Sequence, residues 1–491
     1  MLTTALCRIF AGKGHRVAPF KSQNMSLNSA ATCEGLEIGR AQALQAEAAG
    51  LAPSVHMNPI LIKPSGDCSS QVVVRGKIWG HVSAADYHQR RVEELMPMVR
   101  ESYETLASSF DLIVLEGAGS PAEINLKQHD IANMRMAEIA DAQCLLVGDI
   151  DRGGVFASLL GTIELLDPPE RDRIRGFCIN KFRGDVTLLE PGIHMMAARL
   201  NKPCLGVIPH LPDLSLDEED SVGLPAIART GWPATADAPD RPLRIAVIAL
   251  PSFSNFTDFD SLRAEPSVEL LFCRSAVALA NADVVIVPGS KQTMRDLAWM
   301  NANGFDRSIL LHAKTGLVIG ICGGMQILGR AINDEEGIEQ RGSMSGLGLL
   351  PIITAMQGEK VTRLRTGALH RASLFGQPIQ DDRVAGYEIH VGRTQYPEKS
   401  EPFATFSGGE WDGCVSPDHR VLGTYLHGIF DEDAFRHQFL AAARNFRGLA
   451  PPSTLNRWKA QREESLDRLA RHVSASLDMQ KIFALAGLIY E

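Results

Sequence analysis

The sequence predicts an α/β protein with two domains, each built around a mainly parallel sheet. At 491 residues the chain is too long for one ordinary hydrophobic core. Short apolar runs rich in β-branched residues alternate with segments of helical periodicity, which is typical of parallel strands covered by helices on both faces. These runs form two series, separated by a stretch rich in Pro, Ala and Asp.

The strand-like runs set the expected domain organisation. We expect strands at 111–115, 144–147, 175–179 and 204–208 in the first series, and at 243–249, 283–287, 316–320 and 421–426 in the second. The Pro-rich stretch between them is typical of an interdomain linker. We therefore expect an N-terminal domain over 1–229, a linker over 230–242, a C-terminal domain over 243–440 and a helical segment over 441–491.

Composition and charge limit the kinds of partner. The formal net charge is −9 and the chain has no dense run of Lys and Arg, which argues against nucleic acid. No apolar run approaches the roughly 18 residues that a membrane helix needs, and the N-terminus lacks the features of a signal peptide. Nine cysteines without a C-x-x-C pair fit a reducing compartment better than a disulfide framework or a zinc site. We expect a cytoplasmic protein with a small-molecule substrate.

The strongest chemical signal is the sequence Gly-Ile-Cys-Gly-Gly at 320–324. It follows a strand-like run and precedes a helical one, so it predicts a nucleophile elbow with Cys322 at its tip. The helix N-terminus favours the thiolate, and the N–H of Gly323 is a candidate oxyanion donor. A second donor could come from the turn at Gly289, and Gln326, in the helix after the cysteine, is a further candidate for oxyanion or substrate binding. The alternative is a buried structural cysteine.

His427 is the candidate base for this thiol. It follows the strand-like run at 421–426 and precedes a glycine. About a hundred residues separate it from Cys322, which is no obstacle because a base needs to be adjacent only in the fold. A histidine at a strand end could instead be a structural residue with satisfied hydrogen bonds.

Polar residues at three expected strand ends predict a nucleotide site in the first domain. Glu116 ends one strand before a Gly-rich loop, where open α/β sheets bind ligands, and a single carboxylate there can hold Mg²⁺ beside phosphates. Lys21 lies at a second strand end, and Asn180 and Lys181 follow a third and could read a nucleobase edge. Each signal alone is equally typical of an ordinary turn.

The residues at 320–326, together with Tyr-Leu-His at 425–427, resemble a class I glutamine amidotransferase, a flavodoxin-like domain that frees ammonia from L-glutamine. The resemblance implies that Cys322 is the nucleophile and His427 the base. Most such domains place a Glu two residues after the histidine, where this chain has Ile429. The orienting role is therefore vacant or filled from elsewhere, as in the cobyric acid synthase branch.

Longer strings extend the resemblance to the cobyric acid synthase family over essentially the whole chain. They lie at 18–25, 39–42, 57–59, 115–125, 149–156, 179–185, 254–260 and 386–394. The resemblance implies a dethiobiotin-synthetase-like, P-loop-type ATP domain that uses ATP and Mg²⁺ and is fused to the glutaminase. It also implies amidation of the b, d, e and g carboxylates of a corrinoid, adenosylcobyrinic acid a,c-diamide, through acyl phosphates, to give adenosylcobyric acid.

One departure concerns the N-terminus. The family opens with a strand and a P-loop ending in Gly-Lys-Ser/Thr, followed by a helix that contains Leu-Cys-Arg. This sequence reaches Leu6-Cys7-Arg8 directly from Met1, and without the loop it cannot build the phosphate cradle. We expect the missing strand and loop in frame upstream. The alternative is a real truncation that leaves a glutaminase joined to a synthetase-dead or corrinoid-binding domain.

Several residues and functions stay open at this point. Tyr387, Glu388 and His390 could contact glutamine, the corrinoid or neither, and Asn24 is a tentative substrate contact. The rival functions are cobyrinic acid a,c-diamide synthase and, more distantly, a simple cysteine hydrolase. Five further polar residues fit either a site or ordinary local structure: Asp149 and Asp151 as turn residues, and Asn255, Asp258 and Asp260 as helix caps.

Overall fold

The computed structural model describes residues 1–64, 69–83, 86–87, 91–217, 232, 238–397 and 400–490. The chain forms two compact units. The first consists of Met1–Met25, Ile38–Leu216 and Arg462–Glu491, and the second of Ser26–Glu37 and Asp217–Gln461. The units thus differ from the expected domains at both ends of the chain. The predicted linker at 230–242 lies largely outside the described residues.

Among its described residues, the first unit contains nine strands in three sheets. Parallel strands β1 and β6 form one sheet, parallel strands β7, β8 and β9 form a second in the order β9-β8-β7, and β2 to β5 form a third in sequence order. The strands are β1 Val17–Phe20, β2 Gln23–Met25, β3 Ile60–Pro64, β4 Ser69–Val74, β5 Lys77–Ser83, β6 Leu112–Leu115, β7 Cys144–Asp149, β8 Ile174–Phe182 and β9 Cys204–Pro209.

Helices surround the strands of the first unit. The α-helices are α1 Leu2–Gly12, α2 Arg40–Ala48, α3 Met96–Ala107, α4 Met134–Ile139, α5 Val155–Leu165, α6 Pro168–Arg173 and α7 Glu190–Leu200. Short 3-10 segments cover Val55–Met57, Lys127–His129 and Val186–Leu188, and a π turn covers Arg91–Leu95. The buried face of α1, which includes Ala5, Ile9 and Phe10, belongs to the same apolar core as Val17 and Phe483.

The second unit is built on a six-stranded sheet in the order β11-β10-β12-β13-β23-β22, in which only β22 is antiparallel to its neighbour. Two four-stranded sheets have the orders β15-β14-β16-β19 and β18-β17-β20-β21. The strands are β10 Leu243–Ile248, β11 Val268–Cys273, β12 Val284–Val287, β13 Leu317–Ile321, β14 Ala331–Asp334, β15 Gly342–Ser345, β16 Ile353–Ala355, β17 Val361–Leu369, β18 Arg383–His390, β19 Arg393–Gln395, β20 Ala404–Phe406, β21 Trp411–Asp412, β22 Cys414–Val415 and β23 Val421–Thr424.

Helices of the second unit are mostly short. They are α8 Asp260–Arg263, α9 Thr293–Ala302, α10 Phe305–His312, α11 Gly323–Leu328 and α12 Asp433–Phe446, with 3-10 segments at Phe256–Phe259, Ala276–Leu279, His370–Ala372 and Ile429–Asp431. A small hairpin pairs Ser373–Leu374 with Gln377–Pro378. Helix α13, Trp458–Ser476, begins in this unit and continues into the first, which also contains α14, Met479–Leu485.

The second unit also includes residues 26–37 from the N-terminal part of the chain. We call this segment the strap. It contains the strand Ser29–Ala31 and begins the strand Glu37–Gly39, and these two strands pair. A tight turn joins them, in which the N–H of Thr32 donates to the carbonyl of Leu36 at 2.8 Å. The strap is therefore a short hairpin from the N-terminal sequence that folds with the C-terminal domain.

The predicted α/β class is confirmed, and the predicted strands agree with the observed ones within a few residues. The residues of β10, β12 and β13 are buried, as expected when a parallel sheet is covered on both faces, whereas those of β6 and β7 are mostly only partly buried. The register of β13 with β23 places Ile321, at the end of β13, beside Thr424, at the end of β23. The residues that follow these two strands, Cys322 and His427 among them, therefore start from the same edge of the sheet. Among the described residues, no helix combines the length and apolar character needed to cross a membrane.

Candidate active site

Cys322 occupies a sharp turn between β13 and α11. Its backbone lies at φ 53° and ψ −111°, a conformation that costs a residue with a side chain on the order of 1–3 kcal/mol. The N–H of Cys322 donates to the carbonyl of Thr424 at 2.7 Å, which fixes the turn against β23. A Cβ on Gly324 would lie 1.9 Å from the Val287 carbonyl oxygen, so this helix start admits only glycine without rearrangement. The arrangement is that of a nucleophile elbow.

His427 is held by a carboxylate from a distant part of the chain. Its Nδ1 lies 2.7 Å from Oδ2 of Asp258, and the N–H of Gly428 donates to Oδ1 of the same carboxylate at 2.9 Å. Both side chains are buried, with 1% and 2% exposed. An Nδ1–H that donates to Asp258 leaves Nε2 available for the thiol. Asp258 therefore occupies the orienting role for which Ile429 is unsuited.

The electrostatics of this pair favour a protonated imidazole. Burial alone would lower the pKa of His427, but Asp258 and Cys322 outweigh it and raise that pKa to about 10. Part of this effect is a hydrogen bond between the His427 and Cys322 side chains. The sulfur of Cys322 also lies 3.7 Å from the carbonyl oxygen of Ile389. Cys322, His427 and Asp258 thus form a buried thiol–imidazole–carboxylate series.

Two of the expected oxyanion residues, Gly289 and Gly323, lie close to His427 and Cys322. A Cβ on Gly289 would lie 2.9 Å from Cε1 of His427, and one on Gly323 would lie 3.0 Å from the backbone nitrogen of Ser290. The loop at 289–290 and the start of α11 therefore meet beside the thiol. Gln326 instead has a supporting contact, because its Nε2 donates to the Tyr425 hydroxyl at 3.1 Å and to the Val391 carbonyl at 3.3 Å.

The three open residues of β18 have different environments. The ring of Tyr387 stacks on His427 with centroids 5.4 Å apart, and the two residues exchange both backbone hydrogen bonds. Glu388 pairs across the sheet with Arg363 at 2.6 Å. His390 stacks on Tyr425 with centroids 3.7 Å apart, and burial, together with the nearby charge of His427, lowers its pKa to about 3. Of the three residues, Tyr387 is the one whose described side-chain contacts include His427.

In the first unit, Lys21 and Glu116 lie together at the carboxyl ends of β1 and β6. Nζ of Lys21 is 2.7 Å from Oε1 of Glu116, and Nε2 of Gln45 donates to Oε2 at 2.7 Å. The sequence prediction missed Gln45, whose position in α2 gives no signal of its own. Asn24 is buried, and its amide donates to Gln42 at 3.1 Å.

The other predicted nucleotide-site residues gather at the carboxyl ends of β7 and β8. Lys181 Nζ is 2.8 Å from Asp149, and Arg183 is 3.3 Å from Asp151. Burial opposes ionisation of Asp149, but Lys181 outweighs it and lowers the pKa of that carboxyl. The side chain of Asn180 accepts the N–H of Lys181 at 2.9 Å, a local turn contact.

The donor set in the first unit fits a magnesium ion held mainly by phosphate oxygens. Glu116 supplies one carboxylate, the kind of hard oxygen ligand that Mg²⁺ prefers. In the part of the chain that the structure describes, no group of three or more His, Cys, Asp or Glu side chains is arranged to hold a metal. An ion bound by a single carboxylate plus nucleotide phosphates agrees with both observations.

Comparison with known proteins identifies both halves of the chain. Residues 244–435 match the CobB/CobQ-like glutamine amidotransferase domain, and residues 1–222 match the CobQ/CobB/MinD/ParA nucleotide binding domain. The fold and the site thus define a glutamine amidotransferase joined to a nucleotide-binding domain.

Curated relatives narrow this class further. Proteins named cobyric acid synthase are 48% identical in Moorella thermoacetica, 46% in Pelotomaculum thermopropionicum and 47% in Sorangium cellulosum. Each similarity covers 99% of this chain and 95%, 94% and 96% of the respective relative. The chain belongs to the cobyric acid synthase family. The predicted family and its glutamine-hydrolysing amidoligase class are confirmed, and these relatives do not favour the a,c-diamide synthase alternative.

Proposed function

We propose that Cys322 hydrolyses L-glutamine and that the ammonia amidates the b, d, e and g carboxylates of adenosylcobyrinic acid a,c-diamide at the expense of ATP. The observation that carries the glutaminase half is the buried series Cys322–His427–Asp258. Membership of the cobyric acid synthase family supports the corrinoid substrate.

The geometry of the second unit suggests the steps of ammonia release. The thiolate of Cys322 attacks the side-chain carbonyl carbon of glutamine, and the oxyanion forms beside the backbone of Gly323 and Gly289. His427 gives its Nε2 proton to the leaving nitrogen, the C–N bond breaks, and ammonia departs from a γ-glutamyl thioester. The neutral imidazole then takes a proton from water, whose oxygen attacks the thioester to release glutamate and restore Cys322. Asp258 keeps the Nδ1 proton in place throughout.

The first unit is proposed to activate the acceptor carboxylate. Glu116 would hold Mg²⁺, which neutralises phosphate charge and orients the terminal phosphoryl group when it is bound. Lys21, which pairs with Glu116 in the structure, is proposed to contact the same phosphates. Asn180 and Lys181 are proposed to contact the nucleotide, and Asn24, Asp149 and Asp151 the phosphate or corrinoid region.

Three residues of β18 are proposed to form a wall of the glutamine site. Tyr387 is proposed to line the glutamine site because its ring covers His427. Glu388 and His390 are proposed as supports of that wall, since Glu388 is paired with arginines and His390 is packed on Tyr425.

A single variant tests the division of labour between the two units. Cys322→Ala should abolish amide formation from glutamine and leave amide formation from ammonium chloride close to the wild-type rate, because the thiol is needed only to release ammonia. Product amides are counted by mass spectrometry after incubation with ATP, Mg²⁺ and the corrinoid. Cys144→Ala is the matched control, since this partly buried thiol has only a weak contact to the Ala142 carbonyl at 3.9 Å. Loss of the ammonia-driven reaction in Cys322→Ala would refute the proposal.

A further inference from the structure

The strap, residues 26–37, is almost entirely buried along its first half. Asn28, Ser29 and Thr32 are at most 1% exposed, and Ala30 and Ala31 are 6% exposed. In the sequence, the strap lies inside the stretch that matches the nucleotide-binding domain. Both neighbouring segments, Met1–Met25 and Ile38–Leu216, belong to the first unit. This burial results from contacts between the strap and other residues of the second unit.

The first contact is a reciprocal clamp on the turn that carries Asp258. The N–H of Ser29 donates to the side-chain oxygen of Asn255 at 3.0 Å, and the N–H of Phe256 donates to the side-chain oxygen of Asn28 at 3.2 Å. Asn255 has a left-handed backbone, at φ 54° and ψ 48°, and its carbonyl accepts the N–H of Asp258 at 3.0 Å. The two asparagines therefore fix the direction in which the Asp258 segment leaves β10.

The second contact supports the other side of the catalytic pair. Ala31 forms a separate buried apolar cluster with Tyr387 and Ile389 of β18. Tyr387 is the residue whose ring stacks on His427, and the carbonyl of Ile389 accepts from the Cys322 sulfur at 3.7 Å. The strap thus packs on both structures that hold the nucleophile and the base.

The strap is itself anchored to the second unit by a buried charge. Glu37 accepts the hydroxyl of Ser29 at 2.8 Å and pairs with Lys360, with side-chain exposures of 0% and 11%. A Cβ on Gly35 would lie 2.9 Å from the Thr362 carbonyl oxygen, so the hairpin turn is also in close backbone contact with β17. A buried hydrogen-bonded ion pair is costly to break, which makes this attachment stiff.

We propose that the strap is a positioning element of the glutaminase and that Asn28 is its positioning residue, acting on His427 through Asn255 and Asp258. The proposal rests on the proposed glutaminase function of Cys322. It means that a hairpin from the nucleotide-binding half of the sequence sets the rate at which ammonia is released. Lys21, Asn24 and the strap follow one another within a few residues, so a backbone change around a bound nucleotide has a short covalent path to the glutaminase.

The test uses the full chain with Asn28→Ala, Asn28→Asp and two variants of Asn255. In Asn28→Ala we expect kcat for glutamine hydrolysis to fall about 10- to 100-fold with KM for glutamine little changed, because a small displacement of a catalytic group has effects of this size. Asn28→Asp keeps an acceptor oxygen for Phe256 and should recover most of the rate. Asn255→Gly tolerates the left-handed backbone, whereas Asn255→Ala does not, so the glycine variant should lose less activity.

Two further readouts separate positioning from loss of folding. Ammonia-driven amide formation should stay at the wild-type rate in all four variants. Alkylation of Cys322 by iodoacetamide, compared with Cys144 in the same sample, should slow in Asn28→Ala as the imidazolium loses its alignment. A wild-type kcat in Asn28→Ala, or parallel loss of kcat and ammonia-driven synthesis, would overturn the proposal. Failure of the proposed function itself would appear separately, as a wild-type enzyme that forms no amide from glutamine.

Discussion

Replacing Asp258 by Asn isolates the contribution of the carboxylate that holds His427. The two side chains have the same shape, and the asparagine oxygen can still accept the N–H of Gly428, which donates to Asp258 at 2.9 Å. The group facing Nδ1 of His427 at 2.7 Å becomes an amide NH₂. To accept from this amide, His427 must carry its proton on Nε2, which is the wrong tautomer for a base that faces Cys322.

The expected size of the effect follows from the pKa of His427. That pKa is about 10 compared with the ordinary 6.5, and the difference corresponds to about 5 kcal/mol in favour of the imidazolium. Asp258 contributes more to this stabilisation than Cys322 does, and each ~1.4 kcal/mol added to the barrier slows the reaction about tenfold. We expect kcat for glutamine hydrolysis to fall between about 10²- and 10³-fold, since the wrong tautomer adds to the lost charge.

The same substitution should also shift the pH dependence of glutamine hydrolysis to lower pH on the basic side. In the wild type, the imidazolium that protonates the leaving nitrogen persists until the pH rises through about 10. Without the Asp258 charge, the pKa of the buried His427 falls, so activity on the basic side should be lost at lower pH. Glutamate release is measured from pH 6 to about pH 10.5, with Asp260→Asn as the control, because Asp260 pairs with the partly exposed Arg263. An Asp258→Asn enzyme within about threefold of the wild type, or with an unshifted basic limb, would refute the reasoning.

Two more substitutions probe the other features. Glu116→Gln should reduce ATP turnover by about tenfold or more while basal glutamine hydrolysis stays unchanged, because a neutral amide is a poor ligand for Mg²⁺; unchanged phosphate release would remove Glu116 from the metal site. Gly324→Ala should abolish glutaminase activity and lower the melting temperature, since its Cβ would lie 1.9 Å from the Val287 oxygen. Gly161→Ala, a helical site with no atom within 4 Å of the added carbon, should be neutral or stabilising by up to about 1 kcal/mol; equal melting temperatures for the two variants would contradict the steric argument.

Local pattern predicts most of the core of both units. Fully buried parallel strands are apolar on both faces, so β10, β12 and β13 appear in the sequence as largely apolar runs rich in β-branched residues, interrupted in β10 by Arg244, that need no tertiary information. The elbow at Cys322 is recognisable from a similarly local pattern of glycines, in which Gly320 packs against the backbone of Met325, although Gly324 is required by the carbonyl of the distant Val287. A structural feature can be predicted from sequence when the residues that determine it lie close together along the chain.

The role of Asp258 could not be predicted from local sequence pattern. Its carboxylate and His427 are 169 residues apart, and their contact depends on the left-handed backbone of Asn255. From the sequence, Asp258 is equally suited to capping a helix, whereas in the structure it forms part of a 3-10 segment and binds the base. Glu388 illustrates the converse, because the register of β17 with β18 places Arg363 opposite it and supplies a partner that no local pattern reveals.

Domain boundaries failed to follow composition for a similar reason. The strap has no turn-rich or charged borders that distinguish it from the first domain, and its membership of the second unit comes from the clamp on Asn255 and the ion pair with Lys360. At the other end, α13 continues from one unit into the other without a break in helical pattern. Only contacts across the fold define these limits.

The strap has a consequence for how the protein is made. Ser29 and its partner Asn255 are 226 residues apart. At a translation rate of about 5–20 residues per second, the hairpin leaves the ribosome roughly 10–45 s before that partner exists. The C-terminal unit therefore cannot fold in the order in which it is synthesised. During this interval, premature docking of the hairpin elsewhere would produce a glutaminase that is complete in sequence but misaligned at His427, and holding the nascent segment open is a task suited to a chaperone.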